Sequence, residues 1–350
     1  MKRIAFLDGL RGLAIILVTL YHAYFRWPLV VPYGYSYRDY FFIQHGDLGV
    51  QLFFLISGFV ILMSLEKSGN FLSFLYKRWL RLFPVMLIAT LLIYSTASFL
   101  YERPTGQPEL NSVIPGLVFV SPGWIELITG IHTVSLEGAF WSLYVEVVFY
   151  VIFGVFYFIM GEKKAVMGIF LMYVLSVVGD KFHLRFLIVM SNWFFLRYFC
   201  WFASGSLAYL YFIYKQERYL CFAISICLFE VYKYRYDYEM VLFYIFILSV
   251  FFLPIRFEKM RLVFNIRGLV FCGLISYPFY LIHENAMIAL ISKVFRIINI
   301  PYVFLPIIPV IILVFISYFI VKVLEPLIRA LIVKVTIRSR EYRLIQKNSH

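Results

Sequence analysis

Apolar runs long enough to cross a lipid bilayer follow one another from residue 10 to residue 324, and no linker, low-complexity block or appended soluble segment separates them. That succession leaves few folds open. With 63% hydrophobic and 21% aromatic residues, the chain is too apolar throughout for a soluble domain. The runs are continuous rather than ten-residue alternating segments, which excludes a transmembrane barrel. The sequence therefore reads as all-α, a polytopic integral membrane helical bundle. Ten transmembrane helices are expected, at about 10–27, 48–65, 80–101, 141–160, 165–179, 192–213, 219–232, 240–254, 268–291 and 303–324. The segment 112–129 is also apolar, but Pro115, Pro122 and Gly123 break it, so it is read as re-entrant or interfacial.

Charge orients the bundle. If the N-terminus is cytoplasmic, the inner segments hold 20 of the 32 Lys and Arg residues and the outer loops only nine, although the two longest loops are outer ones. Such a bias places both termini in the cytoplasm, in the inner membrane of a bacterium once the resemblance below is considered. The same bias explains the net charge of +13 without a nucleic-acid partner. Residues 1–326 form one membrane domain, and the basic segment 327–350 is expected to lie as a cytoplasmic tail along the anionic leaflet. No cleavable signal is apparent, because Asp8 and Arg11 interrupt the first run and no small-x-small site follows it. Cys200, Cys221, Cys227 and Cys272 lie in apolar runs without metal-ligand spacing. They read as small buried hydrophobes rather than disulfides, and no metal site is expected.

Ionisable residues inside apolar helices are costly and therefore mark candidate sites. The first run carries Asp8, Arg11 and His22. Arg11 and His22 are eleven residues apart, three turns plus roughly 20°, so they share a helix face about 16 Å apart along the axis. Asp8 sits one turn before Arg11, close enough to pair with it. A snorkelling Arg and a satisfied core His would account for this helix equally well. In the second span, Ser57 and Gly58 either allow close helix packing or make room for a ligand. Arg78 and Arg81 lie one turn apart at the inner end of the third span. Two guanidinium forks on one face suit a phosphate, and ordinary positive-inside anchoring is the competing account.

The fourth span opens with Trp141 and sets Ser142, Glu146 and Tyr150 at four-residue intervals. Arg197, in the sixth span, is an intramembrane cation that needs a partner. In the ninth, Ser276, Tyr280 and either His283 or Glu284 share a stripe beside Pro278. Depth then sorts these groups. His22, Glu146 and His283 fall in the outer half, and Arg11, Arg78 and Arg81 fall on the cytoplasmic side. A two-ended site is the simplest reading: anionic ligand atoms below, acid–base chemistry above.

Taken together, the Arg11/His22 pair, FFLISGF at 53–59, Arg78 and Arg81 before Pro84, WSLYVEVVFY at 141–150 and SYPFYLIHE at 276–284 resemble the acyltransferase 3 family, bacterial multi-span O-acyltransferases that modify cell-surface glycans. The likeness extends over residues 4–326, with fainter agreement at Arg197, Gly205 and Glu325-Pro326. It implies ten spans, an acyl-CoA donor, with acetyl-CoA the expected one, and a saccharide hydroxyl acceptor that is in some cases lipid-linked. The donor is a substrate; no permanently bound cofactor is implied. Some members add a further span and a periplasmic hydrolase-like domain. This chain carries neither, so the path to the glycan is expected to be complete in the membrane domain or to use a separate protein.

On this reading His22 is the base that takes the acceptor's proton, since a His near neutral pKa suits that role. Glu146 orients His22 or stabilises its imidazolium, and His283 polarises the thioester or binds the acceptor. Arg11, Arg78 and Arg81 hold the donor phosphates. Ser57, Trp141, Ser142, Tyr150, Arg197, Tyr280 and Glu284 support the site or bind substrate. An acyl-enzyme on Ser142 or a histidine is compatible with the same residues. The alternative function is a transporter of a small anion or lipid-linked sugar; the internal repeats common in transporters are not visible.

Overall fold

Helices Ala5–Tyr24 (α1) and Arg267–Ile297 (α10) form the most extensive helix pair, and they can do so because two glycines bring their backbones together. A Cβ on Gly12 would sit 2.0 Å from the Leu269 carbonyl oxygen, and one on Gly273 would sit 1.8 Å from that of Asp8. Gly9 meets Phe264 in the same way. Lipid offers no hydrophobic drive for helix association, so close backbone approach at small residues supplies it through dispersion.

The computed structural model describes residues 4–347, with side chains to residue 336. The longer helices in order are α1, Gly49–Glu66 (α2), Phe71–Thr96 (α3), Trp141–Met160 (α4), Glu162–Lys181 (α5), Arg185–Phe194 (α6), Phe199–Tyr214 (α7), Glu217–Tyr232 (α8), Tyr238–Arg256 (α9), α10, Ile307–Phe319 (α11) and Glu325–Lys347 (α12). No strand occurs among the described residues. Local signals set several boundaries. The Asn70 side chain accepts from Ser73 N at 2.8 Å to start α3, and Asp237 accepts from Met240 N at 3.0 Å to start α9. α10 runs on through Pro278. A second close crossing joins α2 to α7. A Cβ on Gly58 would lie 2.1 Å from the Phe202 carbonyl, one on Gly205 would lie 2.0 Å from that of Leu55, and Ser206 Oγ donates to Gly58 O at 3.0 Å.

Among the described residues, seven helices are long and apolar enough to cross a bilayer, and up to nine if each of two bent pairs is one crossing. The chain is thus an all-helical membrane protein. Spans expected at 165–179 and 219–232 fold as α5 and α8, but neither meets the length and apolarity of a crossing alone. Charged residues crowd both ends of α5 (Glu162, Lys163, Lys164, Asp180, Lys181), and α8 has only 16 residues. The span expected at 192–213 is not one straight helix. It breaks at Phe195, which takes a left-handed φ of 56°, and the flanking helices bend by 73°. The proline-rich 112–129 stretch becomes two short helices, Val113–Val118 and Pro122–Thr129, at 106° to each other. α12 continues α11 through the π-helical turn Ile320–Leu324, so the helix does not break at residue 326; residues 348–350 lie outside the described residues. The four cysteines are free; Cys200 and Cys227 are buried as expected, whereas Cys272 is half-buried and Cys221 is exposed on α8.

Candidate active site

A cavity of about 590 Å³ lies between α1, α2, α3, α4 and α10. That volume falls within the range of small-molecule sites. Its cationic wall is built from two helices. Arg11 on α1 is held by Asp8 at 2.9 Å, the one-turn pair that the spacing predicts. Arg78 on α3 is 8% exposed and donates through one nitrogen to Ser64 Oγ at 2.9 Å. Its Nε and other terminal nitrogen have no hydrogen-bond partner in the protein. Burying a guanidinium with unmet donors costs several kcal/mol unless an anion arrives. Exposed Arg81 and Lys77 extend the positive wall along α3, and Arg329 adds to it from α12. Both members of the Arg78/Arg81 pair line the cavity, Arg78 buried and Arg81 exposed.

The same cavity also carries hydroxyls and the Glu146 carboxylate. Ser57 Oγ donates to Glu146 Oε1 at 2.5 Å, tying α2 to α4, and Tyr150 lines the cavity one turn further along α4. Ser142 Oγ and Tyr280 OH lie 2.8 Å apart, and the tyrosine donates to Ala139 O at 2.9 Å. Gly58 backs this region by packing rather than by opening space.

Neither His22 nor His283 lines the cavity. They meet each other beside it, with His283 Nε2 3.3 Å from His22 Nδ1 and the rings edge to face. Tyr280 belongs to both places: its hydroxyl faces the cavity, and its ring and carbonyl contact His283. The carboxylate nearest His22 is that of Glu284, with Oε1 3.6 Å from Nε2. The expected partnership of Glu146 with His22 is thus corrected. Glu146 faces into the cavity with Ser57, and the glycine contacts of α1 and α10 set the rotation that puts Glu284, not Glu146, against His22.

Two other expected site residues lie apart. Trp141 is partly exposed and packs on Phe54 and Tyr198. Arg197 occupies the break between α6 and α7, where it is exposed and donates to Asn192 Oδ1 at 2.5 Å; its partner is local because the helix ends there. No cluster of potential metal ligands occurs among the described residues.

The loop between α3 and α4 contributes residues that the sequence did not single out. Asn285 on α10 donates from its backbone N and its Nδ2 to Glu137 Oε2, at 3.0 and 2.8 Å. Its Oδ1 accepts from both Thr105 N and Thr105 Oγ1. Arg103 donates to Leu136 O at 2.8 Å and lies 3.6 Å from Glu137. Burial pushes the Glu137 carboxyl up to about 8 against the opposing pull of Arg103 and Asn285. This clamp fastens the loop next to the histidines. Its only sequence signal was the polar run HEN closing an apolar stripe.

These features define a class: a membrane-embedded helical enzyme architecture with a cationic ligand cavity and, beside it, a pair of imidazoles, one buried and one half-buried. The family follows from comparison. An acyltransferase domain model matches residues 4–324, and the chain belongs to the acyltransferase 3 family. It is similar to the O-acetyl transferase of Shigella phage Sf6, at 27% identity over 179 residues, 49% of this chain and 52% of that protein. The peptidoglycan O-acetyltransferase OatA of Listeria monocytogenes is 30% identical over 173 residues, 44% of this chain and 24% of that protein. Acyltransferase MdmB of Streptomyces mycarofaciens is 32% identical over 117 residues, 32% of this chain and 28% of that protein. The chain thus spans about half or less of these relatives' length in the matched regions. No solved structure matches it.

Proposed function

We propose that this protein is an O-acyltransferase that moves an acyl group, acetyl being the expected one, from acyl-CoA to a hydroxyl of a cell-surface or lipid-linked saccharide. The observation that carries the reading is Arg78, a buried guanidinium with two unmet donors, lining a cavity that Tyr280 also lines and ties to an imidazole pair. Arg78, Arg81 and Arg11 hold the CoA phosphates, since Arg binds phosphate oxygens in bidentate fashion. The thioester then points to the Ser142–Tyr280 wall.

Transfer requires the acceptor O–H proton to leave as its oxygen bonds to the thioester carbon and the C–S bond breaks. His22 takes that proton at Nε2, and the protonated imidazole returns it to the departing thiolate. The names of the relatives support the O-acetyl assignment, and the positive cavity supports an anionic donor. In the same reading the ten-span topology stands, with α5 and α8 as short crossings, both termini cytosolic and the protein in the bacterial cytoplasmic membrane.

The test uses the full chain in proteoliposomes with radiolabelled acetyl-CoA and membrane saccharides from the expressing cells. His22-dependent label on saccharide is the expected result. Saccharide that stays unlabelled while acetyl-CoA binds normally, or label that is independent of His22, would overturn the proposal.

A further inference from the structure

His22 has its tautomer written into its surroundings. His283 Nδ1 lies 2.9 Å from Tyr280 O, a carbonyl that only accepts, so the proton of neutral His283 is on Nδ1 and its Nε2 is an acceptor. That acceptor faces His22 Nδ1 at 3.3 Å, and Val18 O faces the same nitrogen at 2.9 Å. With two acceptors against it, His22 Nδ1 carries the hydrogen, which leaves the lone pair on Nε2. Nε2 points to Glu284 Oε1 at 3.6 Å. A lone pair facing a carboxylate oxygen is repulsive. The contact becomes attractive when Nε2 gains a proton, so it favours the state that follows proton abstraction over the resting one. Interactions stronger in the transition state than in the ground state are the ones that raise rate.

Glu284 is itself fixed. Its Oε2 accepts from Ala139 N at 2.7 Å, and a Cβ on Gly138 would lie 2.9 Å from that same oxygen, so the carboxylate sits tightly against the loop backbone. The neighbouring Asn285–Glu137 bonds hold this loop against α10. The charged or titratable groups facing His22 are His283 and Glu284 from α10 and Arg26 beyond the end of α1. Those facing Glu284 add Glu137 from the loop, Tyr21 from α1 and Tyr280 from α10, and Asp47 from the turn before α2 faces Tyr21. Glu284 is the one carboxylate among them that the ion-pair geometry brings to His22.

We propose that Glu284 is a positioning residue that holds the proton His22 Nε2 takes up, its own carboxylate anchored by the Ala139 amide, while Val18 O and His283 orient the ring. The role rests on the acyl-transfer reading for its purpose, but its physical content can be measured without substrate. The experiment is ¹⁵N NMR of the full chain in lipid nanodiscs with ¹⁵N-labelled histidine. The chain has six histidines, and His22→Gln identifies the His22 signal.

Above its titration midpoint, His22 is expected to show the Nδ1–H tautomer. Glu284→Gln keeps an oxygen for Ala139 N–H but removes the charge, so the His22 midpoint is expected to move down by ~1–3 pH units. Glu284→Asp keeps the charge but withdraws it, and is expected to move the midpoint the same way by less, which covers a Gln variant that does not fold. An unmoved midpoint in a folded Gln variant, or an Nε2–H tautomer in the wild type, would overturn the proposal. The activity arm separates the two ideas. A midpoint that moves in a protein with no acetyl transfer leaves the Glu284 role standing and sinks the transferase reading. Transfer lost in His22→Gln with an unmoved midpoint in Glu284→Gln sinks only the Glu284 role.

Discussion

The two ends of α1 solve opposite problems. At Arg11 the protein borders a cavity and leaves hydrogen-bond donors unmet, with two nitrogens of neighbouring Arg78 buried and unpartnered. At His22 the polar groups are bonded in series, from Val18 O through both imidazoles to Tyr280 O, with Glu284 anchored to Ala139 N. The unmet end is incomplete without an anion and so should govern binding. The saturated end holds a tautomer in place before any substrate arrives and so should govern chemistry. Preorganisation of that kind costs no rearrangement at the moment of reaction.

Breaking the helix pair that carries both ends should have the largest effect. A Cβ at Gly273 collides with the Asp8 backbone, which cannot yield as a side chain tip can. Gly273→Leu is expected to abolish monodisperse protein on size exclusion, since even modest overpacking costs about 1–3 kcal/mol. Gly268→Leu, on the same helix with nothing within 4 Å of its Cβ position, serves as the control and should behave as wild type. Equal yields for the two variants would mean that the glycine crossing does not hold α1 on α10.

Sharpening the comparison requires a change confined to the cavity. Arg78→Ala is expected to raise the KM for acetyl-CoA by roughly 10- to 150-fold, the worth of a charged hydrogen bond of about 1.5–3 kcal/mol, with a smaller change in kcat. Steady-state kinetics in proteoliposomes would check it. A fall in kcat at unchanged KM would assign Arg78 to the chemical end instead.

The smallest effect belongs to the loop clamp. Burial raises the Glu137 carboxyl to about 8, against about 4.3 in an unfolded chain. Between those values the folded state holds more protons than the unfolded one, so this group makes stability fall as pH rises from about 4.3 to 8. Glu137→Gln removes the titration and is expected to flatten the dependence of Tm on pH across that window. An unchanged slope would show that the clamp carboxyl does not titrate there.

Much of this arrangement was legible in the sequence, because helical periodicity is local. It placed Arg11 and His22 on one face, paired Asp8 with Arg11, and set Arg78 beside Arg81. It also gathered Ser57, Ser142, Glu146, Tyr150 and Tyr280, which all line the cavity. The partner of His22 was not legible. Glu284 or Glu146 could each have met it, and the choice depends on how α10 is rotated against α1, which the backbone contacts of Gly12 and Gly273 decide. Arg197 misled because continuous hydropathy hid the left-handed turn at Phe195 that ends the helix before it. The Asn285–Glu137 clamp joins residues 148 apart in sequence, a separation at which no periodicity speaks.

The central claim, that His22 is a base and not a packing residue, is tested most directly by the turnover of His22→Gln. Glutamine can donate and accept hydrogen bonds but cannot take up a proton. The account predicts that the variant inserts, purifies and binds acetyl-CoA as the wild type does, while acetyl transfer falls by ~10²–10⁴-fold, the usual worth of general base catalysis. Transfer at the wild-type rate by a well-folded His22→Gln protein would contradict it.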